Sequence, residues 1–176
     1  DYYRQIVSIL NKDSEKCHPD AFEPLLVVAT ELLNQGRYTE ALKPCRVLFN
    51  TLQNPKISPK LQDQAFVQTI YERYVHCLRM VQSDTASIHD VTVQYRKSCI
   101  SLFGSTATIT IQATKTLAHI CLESKQYESE AVQLYKTLLD TRSTDVEIDY
   151  DDIRATLDTM TVTDSAEVSQ KEFSSM

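Results

Sequence analysis

Apolar residues recur every three or four positions along most of this 176-residue chain, which is the period of an α-helix with one buried face. The clearest example lies at 22–34, where the apolar residues align on one side and Asn34-Gln35-Gly36 follows. Glycine is typical just beyond a helix end, because the backbone turns there into the left-handed region. The pattern therefore predicts a helix over 22–34 that is closed by Gly36.

The same periodicity predicts six further helices, over 39–52, 59–82, 88–103, 106–124, 128–142 and 144–160. Ser58 before Pro59 is a typical helix start, and Ser87 with Asp90 resembles a capping box. Residues 106–111 alternate between polar and apolar side chains, and most of them are β-branched. Taken alone, they would predict a strand. The helical pattern that follows them favours a helix instead.

Four segments align without gaps, each with an aromatic residue or cysteine followed by a basic residue, at 3–7, 45–49, 95–99 and 135–139. Their starts are 42, 50 and 40 residues apart, a period typical of stacked helix–turn–helix units. We predict an all-α solenoid of antiparallel helix pairs, with about three units plus flanking helices. It should form one domain over 1–160, followed by a polar tail or frayed helix over 161–176.

The first residues, 1–12, are expected to form the second helix of an incomplete repeat that covers an apolar edge of helix 22–34. The chain is therefore expected to be a fragment of a larger protein.

Composition excludes several classes of protein. Only 2 glycines are present, which excludes glycine-rich phosphate and dinucleotide loops. The net charge of −6 argues against a nucleic-acid binder, and no apolar run is long enough for a membrane span. The five cysteines form no framework, which suits a reducing compartment. We expect an intracellular, cytoplasmic protein, with the nucleus as an open alternative.

Candidate chemistry is sparse. The sequence has no Gly-x-Ser-x-Gly nucleophile elbow, and its His and Cys residues are not spaced as metal ligands. We therefore expect no enzyme, no cofactor and no metal, although a helical enzyme stays open as an alternative.

Residues 25–53 resemble a tetratricopeptide repeat through the string Gly36-Arg37-Tyr38-Thr39-Glu40-Ala41, with Ala29 as the small residue of the preceding helix. Residues 95–139 resemble the longer variety found in kinesin light chains and many fungal proteins, with Ala118 and Ala131 as the small residues. Small residues let two helices approach closely. HEAT-like units of similar period are the alternative fold.

The resemblance implies a concave groove lined by the first helix of each pair, and a non-catalytic scaffold that binds another protein or a peptide there. The groove positions carried over are Glu23, Thr30, Asn34, Arg73, His76, Met80, Gln112, Lys115 and His119. Four of them, Arg73, His76, Lys115 and His119, would form a basic strip. Such a strip would attract acidic or C-terminal carboxylate peptides. The alternatives are ordinary solvated side chains, or a structural arm that self-associates or packs within a larger protein.

Overall fold

The computed structural model describes residues 22–52, 62–141, 151 and 153–159, and every regular element in these ranges is helical. This confirms the predicted all-α class. The helices are α1 (Phe22–Asn34), α2 (Tyr38–Thr51), α3 (Gln64–Met80), α4 (Thr85–Phe103), α5 (Thr108–Leu122) and α6 (Glu128–Thr141), with a 3-10 turn at Lys125–Tyr127. Residues 151 and 153–159 are also helical.

The chain forms two compact units, Asp1–Ala113 and Thr114–Met176, and the boundary between them falls within α5. The predicted segments at 1–12 and 161–176 and the predicted helix start at 144 lie outside the described residues. The single domain predicted over 1–160 stays a prediction.

In the first unit, consecutive helices pack against each other from α1 to α4, and α1 also contacts α3. Ala29 on α1 and Ala41 on α2 are both 0% exposed, as expected for small residues where helices pack closely. Between α3 and α4, the rings of Tyr71 and Tyr95 stack with centroids 3.9 Å apart. The Tyr71 hydroxyl lies 2.9 Å from the Thr92 Oγ1, so the buried phenol has a polar partner.

In the second unit, Ala118 and Ala131 are both 0% exposed. Tyr135 on α6 is almost completely buried, and its ring meets the His119 ring edge-on with centroids 6.1 Å apart. The residues that aligned in the sequence as the starts of three segments, namely Cys45, Tyr95 and Tyr135, lie on α2, α4 and α6, and all three are buried.

Two predicted helix starts are wrong. Helix α3 begins at Gln64, not at residue 59, because the Asp63 carboxylate accepts the backbone N–H of Ala65 at 2.9 Å and caps the helix there. The predicted Ser58–Pro59 start itself lies outside the described residues. Helix α4 begins at Thr85, because the Asp84 carboxylate accepts the N–H of Ser87 at 2.9 Å.

The residues at 106–111 form no strand, as predicted: α5 begins at Thr108, two residues later than predicted, and includes Ile109, Thr110 and Ile111. Ile109 and Ile111 are each 2% exposed, and the Thr110 hydroxyl donates to the Gly104 carbonyl at 2.8 Å. Burial of the two isoleucines and this side-chain hydrogen bond offset the weak helix propensity of the segment.

Helices α1 and α3 end in the same way. The N–H groups of Gly36 and Arg37 bond to the carbonyls of Leu33 and Leu32, and Gly36 has φ +72°. This is a Schellman motif, and it confirms Gly36 as the closing residue. At the end of α3 the equivalent residue is Gln82, with φ +57°, where a side chain strains the backbone.

Gln82→Gly is therefore expected to raise the free energy of unfolding by about 1 kcal/mol, because glycine adopts the left-handed region without strain. Gly36→Ala is the matched control and should lower it by a similar amount, since the backbone there is also left-handed and a Cβ would meet nothing within 4 Å. Urea denaturation followed by circular dichroism measures both. If Gln82→Gly lowered the free energy of unfolding instead, the Gln82 side chain would stabilise the fold by more than the left-handed backbone destabilises it.

Candidate interaction surface

Six of the nine predicted groove residues lie on α1 and α3, two helices of the first unit that contact each other. Residues spaced by three, four or seven share one helix face. Such a spacing relates Glu23, Thr30 and Asn34 on α1, and Arg73, His76 and Met80 on α3. The predicted surface formed by these six residues, together with Val27 and Tyr38 described below, is called the α1–α3 surface.

On α1, Glu23 and Asn34 are exposed, while Thr30 is half-buried. The Thr30 hydroxyl donates to the Leu26 carbonyl at 2.6 Å, so its proton is used within its own helix. Val27 lies between Glu23 and Thr30 on the same face and is 68% exposed. Among the described residues it is the most exposed large apolar side chain. It is not one of the residues predicted from the sequence.

On α3, Arg73 is half-buried. Its Nε is shielded from solvent and has no hydrogen-bond partner among the described residues. An unsatisfied buried donor costs about 1–3 kcal/mol. The Arg73 Nε–H is therefore a buried donor that the described residues leave unsatisfied.

His76 and Met80 follow Arg73 on α3, and both are exposed. The His76 ring meets the Tyr38 ring edge-on, with centroids 5.6 Å apart and planes at 82°. Edge-to-face arrangements of this kind are favourable for ring pairs. Tyr38 begins α2 and was identified only as part of the repeat motif, so its contact with the surface was missed. Met80 is 47% exposed and adds a second apolar side chain.

The remaining three predicted residues lie on α5. Gln112 is exposed and belongs to the first unit, whereas Lys115 and His119 belong to the second. Lys115 is half-buried. His119 is exposed, and its Nδ1 lies 3.5 Å from the Tyr135 hydroxyl. Histidine thus contacts a tyrosine ring in both units. A basic strip that runs from Arg73 to Lys115 remains a prediction.

The first unit also has a cleft of about 450 Å³, lined by Leu52 at the end of α2 and by Gln94, Lys97, Ser98 and Ser101 on α4. The lining combines the apolar side chain of Leu52 with the Lys97 amine and the polar groups of Gln94, Ser98 and Ser101. It contains no histidine and no carboxylate.

No protein-family model matches the chain, and no curated protein matches its sequence. Within the part of the chain that the structure describes, no helix is both long enough and apolar enough to cross a bilayer. The function is therefore inferred from the arrangement of the residues themselves.

Proposed function

We propose that this chain is a non-catalytic protein-interaction scaffold of tetratricopeptide-like helix pairs, and that it binds a partner protein or peptide on the α1–α3 surface. The observation that carries the proposal is the composition of that surface. It combines two exposed apolar side chains, Val27 and Met80, with the Arg73 cation, the exposed imidazole of His76 and one carboxylate, Glu23 in the first turn of α1.

The packing within the first unit supports the helix-pair part of the proposal. Only residues 35–37 connect α1 to α2, and such short connections join antiparallel neighbours. Helix α1 contacts both its own partner α2 and the following helix α3. Stacked helix pairs bury their apolar faces by this kind of neighbour contact. Cys45, Tyr95 and Tyr135, which align in the sequence, are buried on α2, α4 and α6 and support a repeated unit.

The chemistry of the surface favours an acidic, partly apolar peptide. A carboxylate can accept charge-assisted hydrogen bonds from the outer N–H groups of Arg73. Val27 and Met80 would bury apolar side chains of the same ligand. The chain itself carries a net charge of −6, so attraction to an acidic ligand must come from a local arrangement rather than from the overall field.

We expect a fluorescein-labelled amphipathic peptide of Glu and Leu with a free C-terminal carboxylate to bind the full chain, and its Lys/Leu counterpart to bind more weakly. Added salt should weaken binding of the acidic peptide, because it screens charge pairs. Fluorescence anisotropy measures both. Arg73→Glu should weaken binding strongly, but Arg73 is half-buried, so its reversal also affects the fold.

A second variant separates binding from folding. His76→Glu with Met80→Glu changes two exposed residues of the α1–α3 surface and should weaken binding of the acidic peptide about tenfold or more. Asn50→Glu with Gln62→Glu adds the same charge at two exposed positions outside that surface and should bind like the native chain. Equal affinities for the two double variants, or a preference for the Lys/Leu peptide, would contradict the proposal.

A further inference from the structure

Two buried thiols meet where α2 packs against α3. Cys45 on α2 and Cys77 on α3 are each 0% exposed, and their sulfur atoms lie 3.6 Å apart. A disulfide requires the sulfurs to approach to about 2.05 Å. The remaining gap is about 1.5 Å, so a disulfide requires a change in side-chain torsion and a movement of α2 relative to α3. We propose that Cys45 and Cys77 are a redox-sensitive pair that hydrogen peroxide converts to a disulfide linking α2 to α3.

The two thiols are not equivalent. When Cys77 ionises, the Cys45 S–H can donate to its sulfur, and this hydrogen bond lowers the pKa of Cys77 despite burial. The same hydrogen bond, with burial, raises the pKa of Cys45, although the nearby Arg73 charge opposes that rise. Because the thiolate is the nucleophile, Cys77 should react first.

The cation at this site favours oxidation over metal binding. Arg73 precedes Cys77 by one helical turn, and its buried Nε has no hydrogen-bond partner among the described residues. The positive charge of Arg73 acts on the Cys45 thiol, and a nearby cation favours thiolates and disfavours a thiophilic metal cation. Peroxide is uncharged and small, so it is the oxidant that suits this buried position.

The chemistry balances with peroxide as the only added reagent. The Cys77 thiolate attacks one peroxide oxygen, an S–O bond forms, the O–O bond breaks, and the released hydroxide is protonated to water. The Cys45 sulfur then attacks the sulfur of the Cys77 sulfenic acid and displaces a second hydroxide, which takes the Cys45 proton. The two sulfurs lose two electrons in total, and one peroxide is reduced to two waters.

Peroxide can reach the buried thiols only if the structure opens locally, and α2 lacks one backbone hydrogen bond beside Cys45. Pro44 lies inside the helix and has no N–H to donate to the Glu40 carbonyl. One backbone hydrogen bond of α2 is therefore absent, at the residue before Cys45. Transient opening of such a segment exposes buried groups without global unfolding.

The test treats the full chain with hydrogen peroxide, blocks the remaining thiols with iodoacetamide, and maps cysteine peptides by mass spectrometry. We expect a Cys45–Cys77 linked peptide that has lost two hydrogens and that dithiothreitol cleaves. The oxidised chain should melt roughly 5–10 °C higher, because the link restricts the unfolded chain.

Single-thiol variants test the order of reaction. Cys45→Ser should accumulate a sulfenic acid at Cys77 that dimedone labels, whereas Cys77→Ser should label Cys45 much less. Cys99→Ser is the matched control and should form the link normally. Burial raises the pKa of the Cys99 thiol to about 11, so Cys99 should stay reduced. Circular dichroism checks that each variant is folded.

Three outcomes would overturn the proposal. In the first, the native chain gives no linked peptide under peroxide doses that oxidise a free cysteine peptide. In the second, Cys45 and Cys77 link to other cysteines as often as to each other. In the third, Zn²⁺ alone protects both thiols from iodoacetamide at stoichiometric concentration, which would identify a metal site.

Discussion

Replacing Phe49 by alanine is expected to lower the free energy of unfolding by about 3–5 kcal/mol. Phe49 on α2 is 1% exposed, and its ring centroid lies 5.3 Å from that of Tyr74 on α3. Removing the ring forfeits its burial and leaves a cavity between the two helices. Whole domains are stable by only about 5–15 kcal/mol, so this loss is a large fraction of the total.

Urea denaturation followed by circular dichroism measures the change. Phe49→Leu keeps most of the apolar volume and should lose much less stability. Asn50→Ala is the exposed neighbour and should stay within about 0.5 kcal/mol of the native chain. A Phe49→Ala variant as stable as Asn50→Ala would show that α2 does not pack on α3 through this face.

Ala41→Leu tests the effect of added side-chain volume in the core, where Phe49→Ala tests its removal. Ala41 on α2 is 0% exposed, as is Ala29 on the packed helix α1. Three additional carbons have no space there, so the helices must separate or the side chain must leave its preferred rotamer. We expect a cost of about 1–3 kcal/mol, measured as a lower midpoint in the same urea titration.

Thr39→Leu is the control for this substitution, because Thr39 is exposed two residues earlier on the same helix. It adds a leucine to α2 without placing it in the core, and should change stability by no more than about 0.5 kcal/mol. If Ala41→Leu behaved like Thr39→Leu, the close packing of α1 and α2 at Ala41 would be wrong.

Local signals predicted the parts of the fold that depend on a few neighbouring residues. The bounds of α1 and the turn at Gly36 follow from periodicity and from one glycine with a left-handed backbone. The starts of α3 and α4 were misplaced because serine and aspartate cap helices about equally well. The residues that cap are Asp63 and Asp84, whose carboxylates accept backbone N–H groups of the first turn.

The candidate site was predictable only in part. Spacing and family resemblance selected Arg73 and His76, since both are periodic on one helix. The contact between His76 and Tyr38 depends on how α2 packs on α3. The approach of Cys45 to Cys77 depends on the same packing across 32 residues of sequence. No pattern within one helix specifies either contact, so both required the three-dimensional structure.

The most direct test of the proposed scaffold is a map of where the acidic Glu/Leu peptide binds. Backbone amide chemical shifts of the full chain would be followed during titration with that peptide. We predict saturable changes concentrated on α1 and α3, at Val27, His76 and Met80, and reduced changes in the His76→Glu, Met80→Glu variant. Changes confined to the cleft beside Leu52 and Gln94, or no saturable change at all, would contradict the account.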